Sequence, residues 1–380
     1  MPGSTVRVAL TSGGMYDRLY ERIPEFERST GVAVAIGFQG RHPELNAYLA
    51  ALDPVPYDLI STHTKYAPSQ QRFLAPLEGF DTRDFFPSSL ALATINGALY
   101  GIPRNIDLRL LHYRTDLIEV PPATWDELVA LARRITRPPQ LYGFVFTGME
   151  SGLFGTFFEL AEAAGARIFP ESLVPEVNNE GGRWALGVLR ELYASGAPDR
   201  VAGWHYEEVH RFFRDGYAAM VADWPGFYGS YCEEGSAVRG RFRVARMPAG
   251  PRGRVCCYAG SHTFALTRTG EQKEEARALL RFLTAPEQQA LEARQGSVPV
   301  RRSVMEELRR AATGQRAERL ELLARSIESD LIIPPKLPYY PEIEDILWRT
   351  VRAAMMGEVP IPEVLAAIET RIAKCVAHAA

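Results

Sequence analysis

Side chains that could bind a hydroxylated solute follow the first three predicted strands. Their hydroxyl, amide, imidazole and guanidinium groups supply both the donors and the acceptors that sugar hydroxyls require. In α/β folds, ligands bind at the carboxyl ends of strands, so a site is expected at these positions. The candidates are Ser12, Gly13, Gly14, Tyr16, Gln39, Arg41, Thr62, His63 and Thr64. The alternatives are a plain tight turn at the two glycines and a solvent-facing loop position for His63.

A second group of candidates follows the predicted strand 218–223 and consists of Asp223, Trp224 and Tyr228. An aromatic side chain at this position can stack on the apolar face of a pyranose ring while its polar edge stays wet. Trp204, Tyr339 and Tyr340 are weaker candidates, since large aromatic side chains more often serve packing.

The sequence lacks the short motifs that identify common enzyme classes. It has no GxSxG, HExxH or GxxxxGK[ST] motif, and no GxGxxG follows a strand. Of the seven histidines, only His205 and His210 come near each other, at a spacing that places them on different helix faces. No carboxylate pair stands out as it would in a glycosidase. We therefore expect no catalytic residues, no metal ion and no cofactor.

Composition bounds the class of protein. With 380 residues the chain is long enough for two lobes, and 46% hydrophobic and 23% charged residues are ordinary globular values. A net charge of -3 argues against nucleic acid as a partner, and no apolar run is long enough to span a membrane. The spacing of the four cysteines fits neither a redox pair nor a zinc ribbon. We expect inert thiols, with a disulfide from Cys232 to Cys256 or Cys257 as the alternative in an exported protein.

Strands and helices alternate along the chain, which predicts a parallel α/β fold. The predicted strands are 6–10, 32–36, 57–61, 142–146, 218–223 and 263–267. A first helix carries Leu19, Ile23 and Phe26, is disturbed at Pro24 and ends at Gly31. The other predicted helices are 124–135, opened by a capping box, 157–164, 183–194, 207–214, 274–283, 343–356 and 363–376. Beyond Pro338 the pattern is helical only.

Several segments together resemble the extracellular solute-binding proteins that serve ABC importers. The segment 96–103 (NGALYGIP), followed by Asp107 and by 111–117 (LHYRTDL), is similar to a hallmark of that family. The segments 121–128 (PPATWDEL), 212–220 (FFRDGYAAM) with Trp224, 258–262 (YAGSH), 284–289 (TAPEQQ) and 296–301 (GSVPVR) follow in the order seen in its sugar-binding branch. The resemblance extends over essentially the whole chain.

The resemblance implies a two-lobed periplasmic-binding-protein (Venus-flytrap) α/β fold with segment-exchanging lobes and a helical C-terminus. Residues 1–107 and 261–310 would form one lobe, and 108–260 and 311–380 the other. Hinge closure around a sugar or polyol in the interlobe cleft is the expected motion. The crossing segments add site candidates, which are Arg104, Asn105, Asp107, Gly260, Ser261 and His262. Where the family usually has Gly-Gly, this chain has Ala259-Gly260, so one backbone approach is expected to be less open.

The resemblance also implies partners and a location. A monomer would deliver its solute to an ABC transporter permease, in the periplasm or outside the cell and associated with the membrane, with a signal peptide removed. Three alternatives stay open: an anionic solute such as a polyol phosphate held by Arg41, Arg104 or Arg301, a carbohydrate-acting enzyme, and a sensor docked to a receptor. Arg104 has a further alternative as an ion-pair partner at the hinge.

Overall fold

The computed structural model describes residues 4–13 and 16–379. The chain divides into two compact units, each built from several chain segments. The first unit contains Met1–Asp107, Gly260–Ala312 and Lys336–Pro338, and the second contains Leu108–Ala259, Thr313–Pro335 and Tyr339–Ala380. The assignment of functional lobes to chain segments stays a prediction.

The first unit is organised around a five-stranded sheet. Its strands lie in the order Ala33–Gly40, Thr5–Thr11, Leu59–His63, His262–Leu266 and Ile102–Pro103. The first three are parallel, whereas His262–Leu266 runs antiparallel to both of its neighbours. One face of the sheet packs on a buried cluster that includes Ala9, Leu45, Leu49, Ile60 and Leu74. The carboxyl ends of the parallel strands and the start of the antiparallel strand therefore share one edge.

Helices of the first unit cover the sheet and precede or follow its strands. They are Asp17–Tyr20, Ile23–Thr30, His42–Ala50, Ala67–Gln70, Pro87–Ala93, Arg268–Glu271, Glu274–Leu283, Pro286–Arg294 and Arg302–Ala311. A two-stranded antiparallel sheet joins Thr94–Ile95 to Ala98–Leu99.

The second unit is organised around a four-stranded sheet in the order Phe242–Ala245, Leu110–Arg114, Ala218–Asp223 and Tyr142–Val145. The first two pairings are antiparallel and the last is parallel. All six residues of Ala218–Asp223 are buried, as expected of a central strand covered on both faces. A separate parallel pair joins Cys257–Tyr258 to Leu331–Ile332.

Helices make up most of the second unit. The α-helices are Trp125–Ile135, Glu150–Ala164, Glu180–Ser195, Tyr206–Arg214, Tyr228–Tyr231, Gly314–Ser329, Tyr340–Met355 and Ile361–Ala379, and the 3₁₀ helices are Asp199–Gly203 and Pro225–Phe227. The helix Glu150–Ala164 is buried on nearly all sides, because it packs against other helices of the unit.

Local sequence signals predicted many element boundaries. The Thr124 side chain accepts a hydrogen bond from the backbone N–H of Glu127, and the Glu127 carboxylate accepts one from the backbone N–H of Thr124. These two bonds confirm the capping box. Gly31 ends its helix with a left-handed φ of 72°, as predicted. Pro24 lies at the first turn of a separate helix, Ile23–Thr30, because its missing N–H is tolerated there.

Two predictions about strands are wrong. Neither sheet is purely parallel. In the first unit, His262–Leu266 runs antiparallel to Leu59–His63, and in the second unit Leu110–Arg114 runs antiparallel to both of its neighbours. The third strand runs to His63 rather than ending at residue 61, and the second runs to Gly40, so that Gln39 lies inside a strand instead of after it.

All four cysteine thiols are free, so the alternative of a disulfide from Cys232 is wrong for this structure. Burial raises the pKa of Cys256 to about 12, which keeps its thiol protonated and unreactive. Within residues 4–13 and 16–379, no helix combines the length and the apolar character that crossing a membrane requires.

Candidate functional site

Three histidines meet at the polar edge of the first unit's sheet. His63 ends a parallel strand, His262 begins the antiparallel strand directly opposite it, and His42 is the first residue of the helix that follows Gly40. The ring centroids are 4.8 Å apart for His42 and His63, 4.9 Å for His63 and His262, and 5.1 Å for His42 and His262. Sequence spacing did not indicate this meeting, since only His205 and His210 come near each other along the chain. We call these three residues the histidine trio.

Two tyrosines complete the aromatic surroundings of the histidine trio. The ring of Tyr66 lies 4.8 Å from that of His42, and the ring of Tyr16 lies 4.7 Å from that of His262. Flat aromatic faces beside polar ring nitrogens form a surface that can pack against carbon while it hydrogen-bonds oxygen.

The histidine trio is uncharged at neutral pH. Burial lowers the pKa of His42 and of His63 well below the usual value, and it lowers the pKa of His262 to about 3. His42 Nε2 and His262 Nδ1 are buried without a hydrogen-bond partner among the described residues. Unsatisfied buried polar atoms are costly, so a hydroxyl group that bonded these nitrogens would remove that cost.

Asp107 supplies an acceptor beside His262. The carboxylate oxygen Oδ1 accepts a hydrogen bond of 2.8 Å from Asn105 Nδ2, and Oδ2 lies 3.8 Å from His262 Nε2. Burial raises the pKa of Asp107 to about 7, against the lowering effect of Arg104. Asn105 is held in turn, because its Oδ1 accepts a hydrogen bond from the His262 backbone N–H at 2.9 Å.

Glycine is required at position 260 by close packing against the histidine trio. A Cβ atom on Gly260 would lie 2.7 Å from His63 Nε2, which is shorter than any normal contact. Backbone hydrogen bonds of 2.9 and 3.1 Å join Gly260 to Asp107. The Gly260 backbone is thus paired with that of Asp107 and packed against the His63 imidazole.

His63, Asp107 and His262 are the described residues that could hold a metal ion, since their ligand atoms lie within 4.8 Å of one another. The hydrogen bonding of His63 argues against that use. Its Nδ1 accepts a 3.1 Å hydrogen bond from the Lys65 backbone N–H, so the ring proton must sit on Nε2, the nitrogen that faces Gly260. A protonated Nε2 donates to an oxygen and cannot bind a cation.

Arg104 is fully engaged inside the first unit. Its guanidinium donates 2.6 Å from Nε to Glu292 Oε1, 2.9 Å from Nη1 to Tyr20 Oη and 2.8 Å from Nη2 to the Tyr16 carbonyl. Both partners of the ion pair with Glu292 are almost completely buried. These contacts agree with the ion-pair alternative for Arg104 and engage all three of its side-chain nitrogens.

In the second unit, Trp224 directly follows the buried central strand Ala218–Asp223. It is half-buried, with Tyr206 and Tyr258 at ring distances of 6.2 and 6.4 Å, and the Arg109 guanidinium 5.8 Å from its ring. Arg109 is fixed by a buried ion pair with Glu159. One neighbour of the Trp224 indole is therefore itself fixed in position.

Asp223 and Tyr228 make contacts inside the second unit, and their assignment as solute contacts stays a prediction. Asp223 is buried and accepts hydrogen bonds from the Tyr231 hydroxyl and from the Trp224 backbone N–H, the latter at 2.8 Å. The Tyr228 ring lies under the Arg319 guanidinium at 4.6 Å and packs against Phe242.

The sequence profile described as a bacterial extracellular solute-binding protein matches residues 21–317. The chain belongs to this family. A probable ABC transporter-binding protein of Deinococcus radiodurans is 31% identical to this solute-binding protein over 229 residues, which cover 57% of this chain. The match spans about half of that relative, 54% of its length.

Two further similarities cover more of the chain. A mannitol-binding protein of Pseudomonas aeruginosa is 27% identical over 339 residues, which are 80% of this chain and 76% of that protein. The maltose-bound structure of MalE3 from T. maritima aligns with a TM-score of 0.87 at 25% identity, over 98% of this chain and 100% of that one. The likeness confirms the predicted two-lobed α/β fold of this solute-binding protein.

The structure brings together most of the first-unit candidates named from the sequence. The residues that contact one another around the histidine trio are Tyr16, His63, Thr64, Arg104, Asn105, Asp107, Gly260, Ser261 and His262. The Thr64 and Ser261 hydroxyls are used within the unit, the first as an acceptor for the Ser261 N–H and the second as a donor to the His262 carbonyl. Their assignment as solute contacts stays a prediction.

Other first-unit candidates make different contacts. Arg41 is exposed and bonds Glu44 at the start of its helix, and exposed Gln39 donates to Asp17. Ser12 and Gly13 follow their strand as predicted, with φ of 146° at Gly13. Gly14 lies outside the described residues.

Sequence reasoning missed His42, Tyr66 and Glu292. No local motif marks them, because they are distant along the chain and meet only through strand register and helix packing. The one available signal was positional, since His42 lies beside Arg41 after the second strand.

Proposed function

We propose that this solute-binding protein binds a sugar or polyol, delivers it to the permease of an ABC-type importer, and catalyses no reaction. The observation that carries the proposal is the set of uncharged imidazoles beside the Asp107 carboxylate and two tyrosine rings. Two of the buried imidazole nitrogens have no hydrogen-bond partner in the described part of the chain. Hydroxyl groups donate and accept at once, so they match such a mixed surface.

The relatives support this solute class. One relative is named a mannitol-binding protein, and one similar structure contains maltose. The family description supports action outside the cytoplasm, and we propose a monomer that works in the periplasm or at the cell surface, associated with the membrane through its transporter.

The arginines named for an anionic solute are occupied. Arg104 pairs with Glu292, Arg301 lies 3.4 Å from Asp84 and donates to the Thr284 carbonyl, and Arg41 bonds Glu44. An anion held by these three side chains would have to displace carboxylates that already neutralise them.

A thermal-shift screen tests the proposed solute class. Sugars, polyols, sugar acids, polyol phosphates, amino acids and polyamines are added singly to protein refolded from denaturant, so that any retained solute is removed. A ligand at about 100 times its Kd stabilises the folded state by roughly 2.7 kcal/mol. We expect stabilisation by members of the sugar and polyol classes. Stabilisation confined to amino acids or polyamines would refute the proposal, and recovery of a chemically altered sugar would favour the enzyme alternative.

A further inference from the structure

Polar side chains of the second unit form a hydrogen-bonded network at the end of the strand Ala218–Asp223. Asp223 Oδ2 accepts a hydrogen bond from the Tyr231 hydroxyl and lies 3.3 Å from His210 Nδ1. The other ring nitrogen, His210 Nε2, lies 2.7 Å from Ser230 Oγ. His210, Asp223 and Tyr231 are buried, and Ser230 is partly buried. We call these four residues the polar network.

The hydrogen bonds of the polar network fix the orientation of the His210 ring. A carboxylate only accepts, so the ring nitrogen Nδ1 carries a hydrogen that points to Asp223. Nε2 bonds the Ser230 hydroxyl, and the ring of Phe227 stacks on the imidazole at 4.2 Å. A flipped ring would lose both bonds. Both nitrogens of this buried ring therefore have a partner.

The surroundings of the polar network are apolar. Tyr231 belongs to a buried cluster that includes Val209, Phe213, Val221 and Phe242. Polar groups cost free energy when they leave water, and apolar residues of similar volume often stabilise a core as well as a buried ion pair does. A satisfied buried network can instead specify one arrangement of the chain.

The arrangement specified here is that of the segment 224–231. Asp223 directly precedes this segment and bonds both of its ends. The Trp224 backbone N–H donates to Oδ1 at 2.8 Å, and the Tyr231 hydroxyl donates to Oδ2. One buried carboxylate therefore holds the segment closed on the end of the central strand, with Trp224 as its first residue.

The helix Tyr206–Arg214 connects the polar network to Trp224 by a second route. Tyr206 and His210 are about one turn apart, so they lie on the same face of this helix. The Tyr206 ring lies 6.2 Å from the Trp224 ring, while His210 bonds Asp223. The helix, the strand end and the indole are therefore tied together.

We propose that the polar network positions the Trp224 indole for contact with the solute. His210, Ser230 and Tyr231 are then positioning residues, which act through the end of the strand and do not touch the solute. The inference rests on the proposed function, in which Trp224 stacks on a sugar or polyol. Two experiments separate the positioning of the indole from its use in binding.

Fluorine NMR tests the positioning without any solute. The chain has five tryptophans, so labelling with 5-fluorotryptophan gives one signal for each, and Trp224→Phe identifies the signal of Trp224. Tyr231→Phe keeps the ring and removes its bond to Asp223. We expect the Trp224 signal of Tyr231→Phe to shift or broaden more than the other signals. A Trp224 signal that moves no more than the others would overturn the proposal.

Two further variants make this measurement specific. Tyr57→Phe is the matched control, since it removes a buried hydroxyl of the first unit that bonds Tyr48 at 2.8 Å, and it should leave the Trp224 signal in place. Ser230→Ala removes the partner of His210 with little change in volume, and it replaces Tyr231→Phe if that variant fails to fold. An unmoved Trp224 signal in folded Ser230→Ala would then refute the positioning.

A double-mutant cycle tests whether the positioning serves binding. Mannitol and maltose are titrated calorimetrically into the natural chain, Tyr231→Phe, Trp224→Ala and the double variant. We expect Tyr231→Phe to weaken binding about threefold or more when Trp224 is present and to have no effect in Trp224→Ala, because its effect passes through the indole. An equal loss in both backgrounds, or no loss in either, would overturn the proposal.

Failure of the proposed function gives a different result. If the natural chain binds neither mannitol nor maltose, the proposed solute class is weakened, whereas the fluorine signals still decide whether the polar network positions Trp224. A displaced Trp224 signal then supports the positioning, and an unmoved one refutes it.

Discussion

At the residue scale, the buried polar side chains of the first unit differ in how charge and hydrogen bonds are met. Arg104 and Glu292 neutralise each other with almost no exposed surface, although Glu292 Oε2 accepts no hydrogen bond from the described residues. In the histidine trio, His42 Nε2 and His262 Nδ1 have no hydrogen-bond partner among those residues. The ion pair is a feature of stability, whereas we expect the solute to bond the two imidazole nitrogens.

Removing Arg104 should destabilise the protein rather than weaken binding directly. In Arg104→Met the Glu292 carboxylate stays buried without its partner, and we expect a loss of about 3 to 5 kcal/mol in the free energy of unfolding, measured with urea. Arg41→Met is the control, since both partners of its pair with Glu44 are exposed and the loss should be below about 1 kcal/mol. A stable Arg104→Met protein with greatly reduced solute affinity would show that Arg104 contacts the solute.

Trp224 is the residue of the second unit that we expect to stack on the solute. Trp224→Ala should reduce affinity by about 1 to 3 kcal/mol, roughly tenfold to a hundredfold, with a nearly unchanged melting temperature without solute. Trp204→Ala is the matched control. Its indole packs 4.8 Å from Phe212, so its loss should lower the melting temperature and leave affinity unchanged. Unaltered affinity in folded Trp224→Ala removes this residue from the site.

At the element scale, close approach of backbones fixes how helices cover the second unit's sheet. A Cβ atom on Gly143, in the strand Tyr142–Val145, would lie 2.1 Å from the Ala132 carbonyl oxygen in the helix Trp125–Ile135. Gly187, inside the helix Glu180–Ser195, has no atom within 4 Å of such a Cβ. The same change at these two glycines should therefore have opposite effects.

We expect Gly143→Ala to destabilise the protein by about 3 kcal/mol, because the helix must move away from the strand. Gly187→Ala should stabilise it by about 0.5 to 1 kcal/mol, since it reduces the flexibility of the unfolded chain and favours the helix. Chemical unfolding of both variants checks the pair. A neutral Gly143→Ala would contradict the close packing described for this helix and strand.

Local signals explain which elements could be predicted from the sequence. The capping box at Thr124 marks the start of the helix Trp125–Ile135, and Gly216 separates the helix Tyr206–Arg214 from the strand Ala218–Asp223. The helix Trp125–Ile135 and the strand were both predicted with correct bounds or nearly so. The helix Glu150–Ala164 was predicted to begin only at Phe157. Its first turns are rich in glycine, and Gly152 and Gly155 are there because Thr147 and Tyr258 pack against them. These are tertiary contacts, so the local sequence pattern of the helix does not indicate them.

At the scale of the whole molecule, the chain passes between its two units more than once. It leaves the first unit after Asp107 and returns at Gly260, and these two residues are hydrogen-bonded to each other inside that unit. Candidates at these crossings came from the family resemblance, whereas the meeting of His42, His63 and His262 could not be foreseen. Their contact depends on strand order and register, which no single segment encodes.

The most direct test of the central claim is a calorimetric titration of refolded, solute-free protein with the sugars, polyols and their anionic derivatives that stabilise it, followed by chemical analysis of the recovered solute. The account predicts saturable binding of one solute molecule per chain and recovery of that molecule unchanged. Absence of binding by every member of these classes, together with saturable binding of an amino acid or a polyamine, would contradict it.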